Sequence, residues 1–181
     1  MDMKQGRERV YAFERAPDAA AFGEYWREVA WLEELRRRAM DLIEDVDDAT
    51  GNALVEHAEN SIHYLAMHMV WAEAIWMNRA AGRRFDTEFA ELLPQPPAPG
   101  MAWSAAAVHG AVRTVADRIT HPFVRAIATG SLAMTPLPEF GSLEPLLRHI
   151  AWHWTYHSGQ VGLLRRLLGR RYAWTFARQR A

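Results

Sequence analysis

The sequence predicts an all-α fold, a four-helix bundle, on three observations. Four long segments carry apolar residues three and four apart, no alternating strand pattern of useful length occurs, and the connections are marked by proline and glycine. The first segment opens at Pro17 and Asp18, with its stripe at Tyr25, Val29, Leu32, Leu35, Ala39, Leu42 and Val46. Its other faces hold Glu33, Glu34, Arg36, Arg37 and Arg38, a mixed charge run expected at a solvated surface. Residues 47–60 form a connection, after which Asn60 or Ser61 caps a second helix running to Arg79. That helix is apolar nearly all round. Tyr64, Leu65, Trp71, Ala72, Ile75 and Trp76 share a side with His68, while Ile62, Ala66, Val70 and Met77 line the other. Such a helix is buried on two sides, within its own fold or partly against a second copy, and it predicts a homodimer.

Residues 81–103 hold Pro94, Pro96, Pro97, Pro99 and Gly100, which predicts a long crossing between helices two and three. Ser104 caps the third helix, striped by Val108, Val112, Val115, Ile119 and Ile127, with Pro122 expected to kink or end it near His121. A second connection over 133–142 leads to a fourth helix over 143–168, with Gly169 as its C-terminal cap. Nothing repeats, and the length predicts one domain over residues 1–181.

Composition narrows the function. Twenty-one basic against 22 acidic residues leave a net charge of -1, which gives no field to draw in nucleic acid or anionic lipid. The basic residues Arg165, Arg166, Arg170, Arg171, Arg178 and Arg180 read as a solvated terminus. With no cysteine, metal ligands must be N or O, and any thiol must come from outside. The charged stretch from Met1 to Arg9 has no apolar core and no run reaches a membrane span, so a cytoplasmic address is expected.

The fourth helix carries the chemistry. Its stripe runs Leu146, Ile150, His153, His157, Gln160, Leu164, Leu168, so two imidazoles and an amide interrupt an apolar face. His153 and His157 lie about 40° apart, one turn above the other, as two ligands from one helix must. His68 adds a third imidazole from the apolar face of helix two. Three converging neutral rings need a partner, and a divalent cation supplies one while leaving a position open. His63 and His149 are expected as outer-shell or structural residues, and His57, His109 and His121 at the surface. Glu73, about 140° from His68, is set aside as a ligand and suits a salt bridge or an interface. The metalloprotease helix needs Glu where Trp154 stands, no Glu-x-x-His pair serves a di-iron bundle, and no nucleophile elbow or phosphate loop occurs. A mononuclear site is left.

The chain resembles the DinB-like (YfiT-like) superfamily of metal-dependent enzymes. The likeness rests on Leu65-Ala66-Met67-His68 with Trp71-Ala72-Glu73, and on the run from His149 through His153, His157, Gly159 and Gln160 to Leu167-Leu168-Gly169. Helix order agrees over about residues 22–169. The resemblance implies an up-down-down-up bundle with a long crossing between helices two and three, and a dimer. It also implies a cation (zinc, nickel, iron or manganese) on His68, His153 and His157. Where many members carry Arg after the last His, this chain has Ser158, and Gly159 stands where ergothioneine-type relatives carry Glu. Relatives with an assigned reaction include bacillithiol S-transferases and a mycothiol-dependent isomerase. They imply transfer of a low-molecular-weight thiol to a small electrophilic substrate. In that reading Gln160 orients the metal-bound group, and Trp71, Trp76, Trp154 and Tyr156 line the second substrate's pocket. A metal-dependent hydrolase and a non-catalytic metal- or ligand-binding stress protein are the alternatives.

Overall fold

A computed structural model describes residues 19–92 and 97–174, and every regular element in them is helical. The expected helix start at Pro17 and Asp18, the crossing's Pro94 and Pro96, and Arg178 and Arg180 of the tail lie outside the described residues. In order the helices are α1 (Ala19–Phe22), α2 (Trp26–Ile43), α3 (Asp48–Asn52), α4 (Ile62–Ala80), α5 (Asp86–Leu92), α6 (Ala105–Thr114), α7 (His121–Ala128) and α8 (Leu143–Leu167). A 3-10 turn, Gly23–Tyr25, joins α1 to α2, and a π-helical stretch, Val115–Thr120, joins α6 to α7 without a break. Among these helices none is long and apolar enough to cross a membrane.

Helix α2 buries Val29, Leu32, Leu35, Ala39 and Leu42 along the predicted stripe and packs mainly on α8. Ser61 caps α4, its hydroxyl accepting from the Tyr64 amide at 3.1 Å. The all-round apolar surface of α4 is used within the chain: α8 covers one side, and α6 with the π-helical stretch covers another. The hydrophobicity of this helix is therefore explained without a second copy.

The crossing between α4 and α6 is pinned at both ends. Asn78 accepts from the Phe85 amide at 2.8 Å and donates to Asp86 at 2.7 Å, which starts α5, a helix unforeseen among the prolines. At the far end Asn52 grips both backbone groups of Trp103, and the Nδ1–H of fully buried His63 donates to the same carbonyl at 2.8 Å. His63 is thus structural, as expected.

A segment boundary falls near His121, where Pro122 is expected to kink or end the helix: the π-helical stretch ends at Thr120 and α7 begins at His121 with Pro122 in its first turn. The irregularity falls just before, in the π-helical stretch. At the end of α8, Gly169 takes φ +72°, a left-handed conformation, and closes the helix through its amide on Arg166.

Three surface expectations are corrected. Arg36 is 2% exposed and pairs with Glu33 and Glu73 instead of facing solvent; only Glu34, Arg37 and Arg38 of that run form a surface cluster. His121 is buried, its Nε2–H donating to Glu33 at 2.9 Å, because the chain ahead of α2 closes over α7 and sets Phe22 against the ring. Arg165 is buried too. It binds Asp45 at 2.5 Å and the carbonyls of Leu42 and Arg171 at 2.8 and 2.7 Å, tying the chain after α8 back to the end of α2. His109 is half-buried, its Nε2–H donating to the Ile43 carbonyl.

Candidate metal centre

One buried carboxylate fixes how α4 and α8 meet. Glu73, 1% exposed on α4, accepts from Arg36 of α2, from the Thr120 hydroxyl, and from the Trp154 indole of α8 at 2.8 Å. A charge at this depth persists only when paired and hydrogen-bonded, and here every neighbour is a donor. The salt-bridge role expected for Glu73 is what the structure shows. Trp154, expected in a substrate pocket, is instead fully buried core, its indole turned to Glu73.

With that register set, His68 comes opposite His153 and His157. The two Nε2 atoms of His68 and His153 are 3.1 Å apart, and the ring centres of the three residues lie 4.5–5.0 Å from one another. One nitrogen from each falls within 4.8 Å of the others, and among the described residues no fourth His, Asp or Glu joins the group. Two nitrogens held at 2.0–2.1 Å on a tetrahedral cation would be about 3.3 Å apart, close to the 3.1 Å between His68 and His153, with the His157 nitrogen within 4.8 Å of both. His157 donates from Nδ1–H to the Gln160 Oε1 at 2.6 Å, which leaves its Nε2 lone pair free. Gln160 therefore acts on the ring of His157, a contact that its place on the same stripe already permitted.

Electrostatics favour the neutral, ligating form of all three rings. Burial, then the neighbouring His157, lowers the pKa of His68; burial and the other imidazoles push His153 down to about 3. Burial also lowers His157, with the Gln160 bond opposing it. Because the folded values lie below the ordinary 6.5, the unfolded chain takes up protons that the folded rings refuse. The metal-free protein is then fully stable, in this respect, above about pH 6.5 and loses stability as pH falls towards 3. Discounted for the rings' partial exposure, the loss is about 1–2 kcal/mol. Thermal unfolding from pH 7 to pH 4 reads it, and His153→Gln should flatten the slope.

Aromatic side chains flank the group. Tyr64 stacks on His68 at 6.2 Å, and Tyr156, 52% exposed, puts its ring 5.0 Å from His157 and stacks on Trp152 at 5.5 Å. Trp71 is partly buried against Phe89, its Nε1 enclosed without a partner, and Trp76 packs on Phe140 and His149. Arg36, Thr120 and Trp154 were missed as a supporting network. The signal was available: a lone Glu on an apolar helix demands a cation, and Arg36 recurs on the apolar spacing between Leu32 and Ala39.

No curated protein and no solved structure gives a significant match to the chain. The model of the DinB family matches residues 25–180, a span that takes in His68, His153, His157 and Gln160. With the match covering most of its length, the chain belongs to the DinB family.

Proposed function

We propose that the protein is a metal-dependent enzyme which transfers a low-molecular-weight thiol to a small electrophilic substrate, with His68, His153 and His157 as the metal ligands. The reading belongs to a single domain folded as an up-down-down-up four-helix bundle, working as a homodimer. The observation that carries it is the convergence of three neutral imidazoles from α4 and α8 with no fourth protein ligand among the described residues. A divalent cation held there supplies Lewis acidity, which lowers the pKa of a thiol brought beside it. The chain's own residues do the rest. Gln160 fixes the tautomer of His157, and Tyr64 and Tyr156 wall the rings from bulk water on two sides. Trp71 and Tyr156 offer apolar surface to the electrophile, whose carbon bonds to sulfur as its leaving group departs and the thiol proton passes to solvent. Dimer formation is supported by Trp152, Tyr156 and Leu167, each more than half exposed along one side of α8.

A hydrolase would need a general base beside the rings, and no carboxylate joins the group. A purely structural site would be closed by a fourth ligand. Turnover of 1-chloro-2,4-dinitrobenzene with bacillithiol, mycothiol, glutathione or coenzyme A tests the proposal, read as chloride release and thioether formation. Activity that needs an added divalent ion and disappears in His157→Ala is the expected result. Absence of metal-dependent turnover with every thiol would overturn the transferase reading.

A further inference from the structure

A second concave site lies on the other flank of α8, and nothing in the metal centre uses it. The cavity, about 350 Å³, lies between α2, α8 and the segment after Gly169. Its volume is within the range that holds a small molecule. At about 100° per residue, Ser158, Gly159 and Gly162 point at least about 100° away from His157 around α8, so the two sites are back to back.

Two features mark it as built for a ligand. First, Gly159 lies in the interior of a 25-residue helix, where glycine costs about 1 kcal/mol against alanine. A Cβ there would meet nothing within 4 Å. By contrast, Gly162 is explained by packing, since its Cβ would come 3.3 Å from the Tyr172 hydroxyl. The space kept by Gly159 serves no contact of the protein itself. Second, the lining is chemically two-sided. Tyr172 and Trp174, edge to face at 5.2 Å, stand with Leu35 and Leu163 as apolar walls, while Arg166 brings a guanidinium that has no ion pair among the described residues. Arg38, also at the wall, is already held by Glu34 at 2.9 Å.

From these we infer that the cavity binds a small amphiphilic anion: a flat apolar body against Tyr172, Trp174 and the bare backbone of Gly159, with its acid group towards Arg166. A guanidinium at the rim suits a carboxylate or sulfonate oxygen, and aromatic walls suit a ring. This site needs no metal and does not depend on the reaction proposed above.

A matched pair of dyes tests it on the full chain: 1-anilinonaphthalene-8-sulfonate and its uncharged relative N-phenyl-1-naphthylamine, titrated by fluorescence. Gly159→Leu, which fills the cavity from a position where leucine favours helix, should weaken both dyes at least about tenfold. Its melting temperature should hold or rise. Arg166→Gln should weaken the sulfonate about threefold and leave the uncharged dye unchanged. Native binding of both dyes by Gly159→Leu would overturn the site, as would loss of binding in Trp152→Ala instead. Equal losses of the two dyes in Arg166→Gln would overturn the anion assignment. Light scattering completes the test: dye that binds only as a dimer dissociates would mean that a second copy covers this face, and would overturn the inference.

Discussion

Replacing Glu73 by alanine should lower the stability of the fold by about 3–5 kcal/mol, because it breaks a buried ion pair and leaves the Arg36 guanidinium with Glu33 as its remaining carboxylate. In a chain of this size that is a fall of about 10–15 °C in melting temperature. The same change frees the Trp154 indole and the Thr120 hydroxyl, two buried donors that then lack an acceptor. Glu73→Gln, which keeps an oxygen for Trp154, should cost less. The double variant Arg36→Met with Glu73→Leu should recover part of the loss, since it removes the buried guanidinium along with the carboxylate, while Trp154 and Thr120 still lack their acceptor and Glu33 loses Arg36. Urea titration of the three variants measures this ordering. A Glu73→Ala variant within 1 kcal/mol of the native protein would show that α4 and α8 are held by apolar packing alone.

The second large effect concerns metal. Protein prepared without an affinity tag should bind one divalent cation per chain, and His153→Ala should weaken that binding more than about a hundredfold, since it removes one of three ligands. Gln160→Ala should weaken it about 10- to 100-fold by releasing the ring of His157, without removing a ligand. Competition with a chromophoric chelator reads both. Added zinc should also raise the melting temperature of the native chain and leave that of His153→Ala unchanged. Equal affinity in native and variant protein would sever these residues from the metal.

The donors of the candidate centre were legible because they obey a local rule. His153 and His157 share one helix face at a spacing of four, and His68 is a polar residue on an otherwise apolar side, so both signals survive without tertiary information. What brings them within reach of one another is not local. The meeting of α4 and α8 turns on the Glu73–Trp154 bond, between residues 81 apart, and Trp154 in sequence looks like any aromatic beside a candidate ligand. Arg36 was hidden differently: its neighbours are charged, so a run of charge masked its place on the apolar spacing. Helix α5 was hidden by the prolines that follow it, although Asp86 and Glu88 already supply an acidic first turn. His121 was misplaced because it stands about 150° from the middle of the Val108–Ile119 stripe, and what covers it there is the sequence-distant chain ahead of α2.

Just before His121 lie the six residues of Val115–Thr120, whose wider winding adds a residue to one turn of an otherwise regular rod. Cutting one residue there would even the pitch and swing everything beyond it by about 100°. Thr120 would leave Glu73 and His121 would leave Glu33 in a single stroke. The slack turn behaves as an angular keyway, and any homologous graft or shortened design of this segment must keep its odd count or rebuild two polar clusters at once.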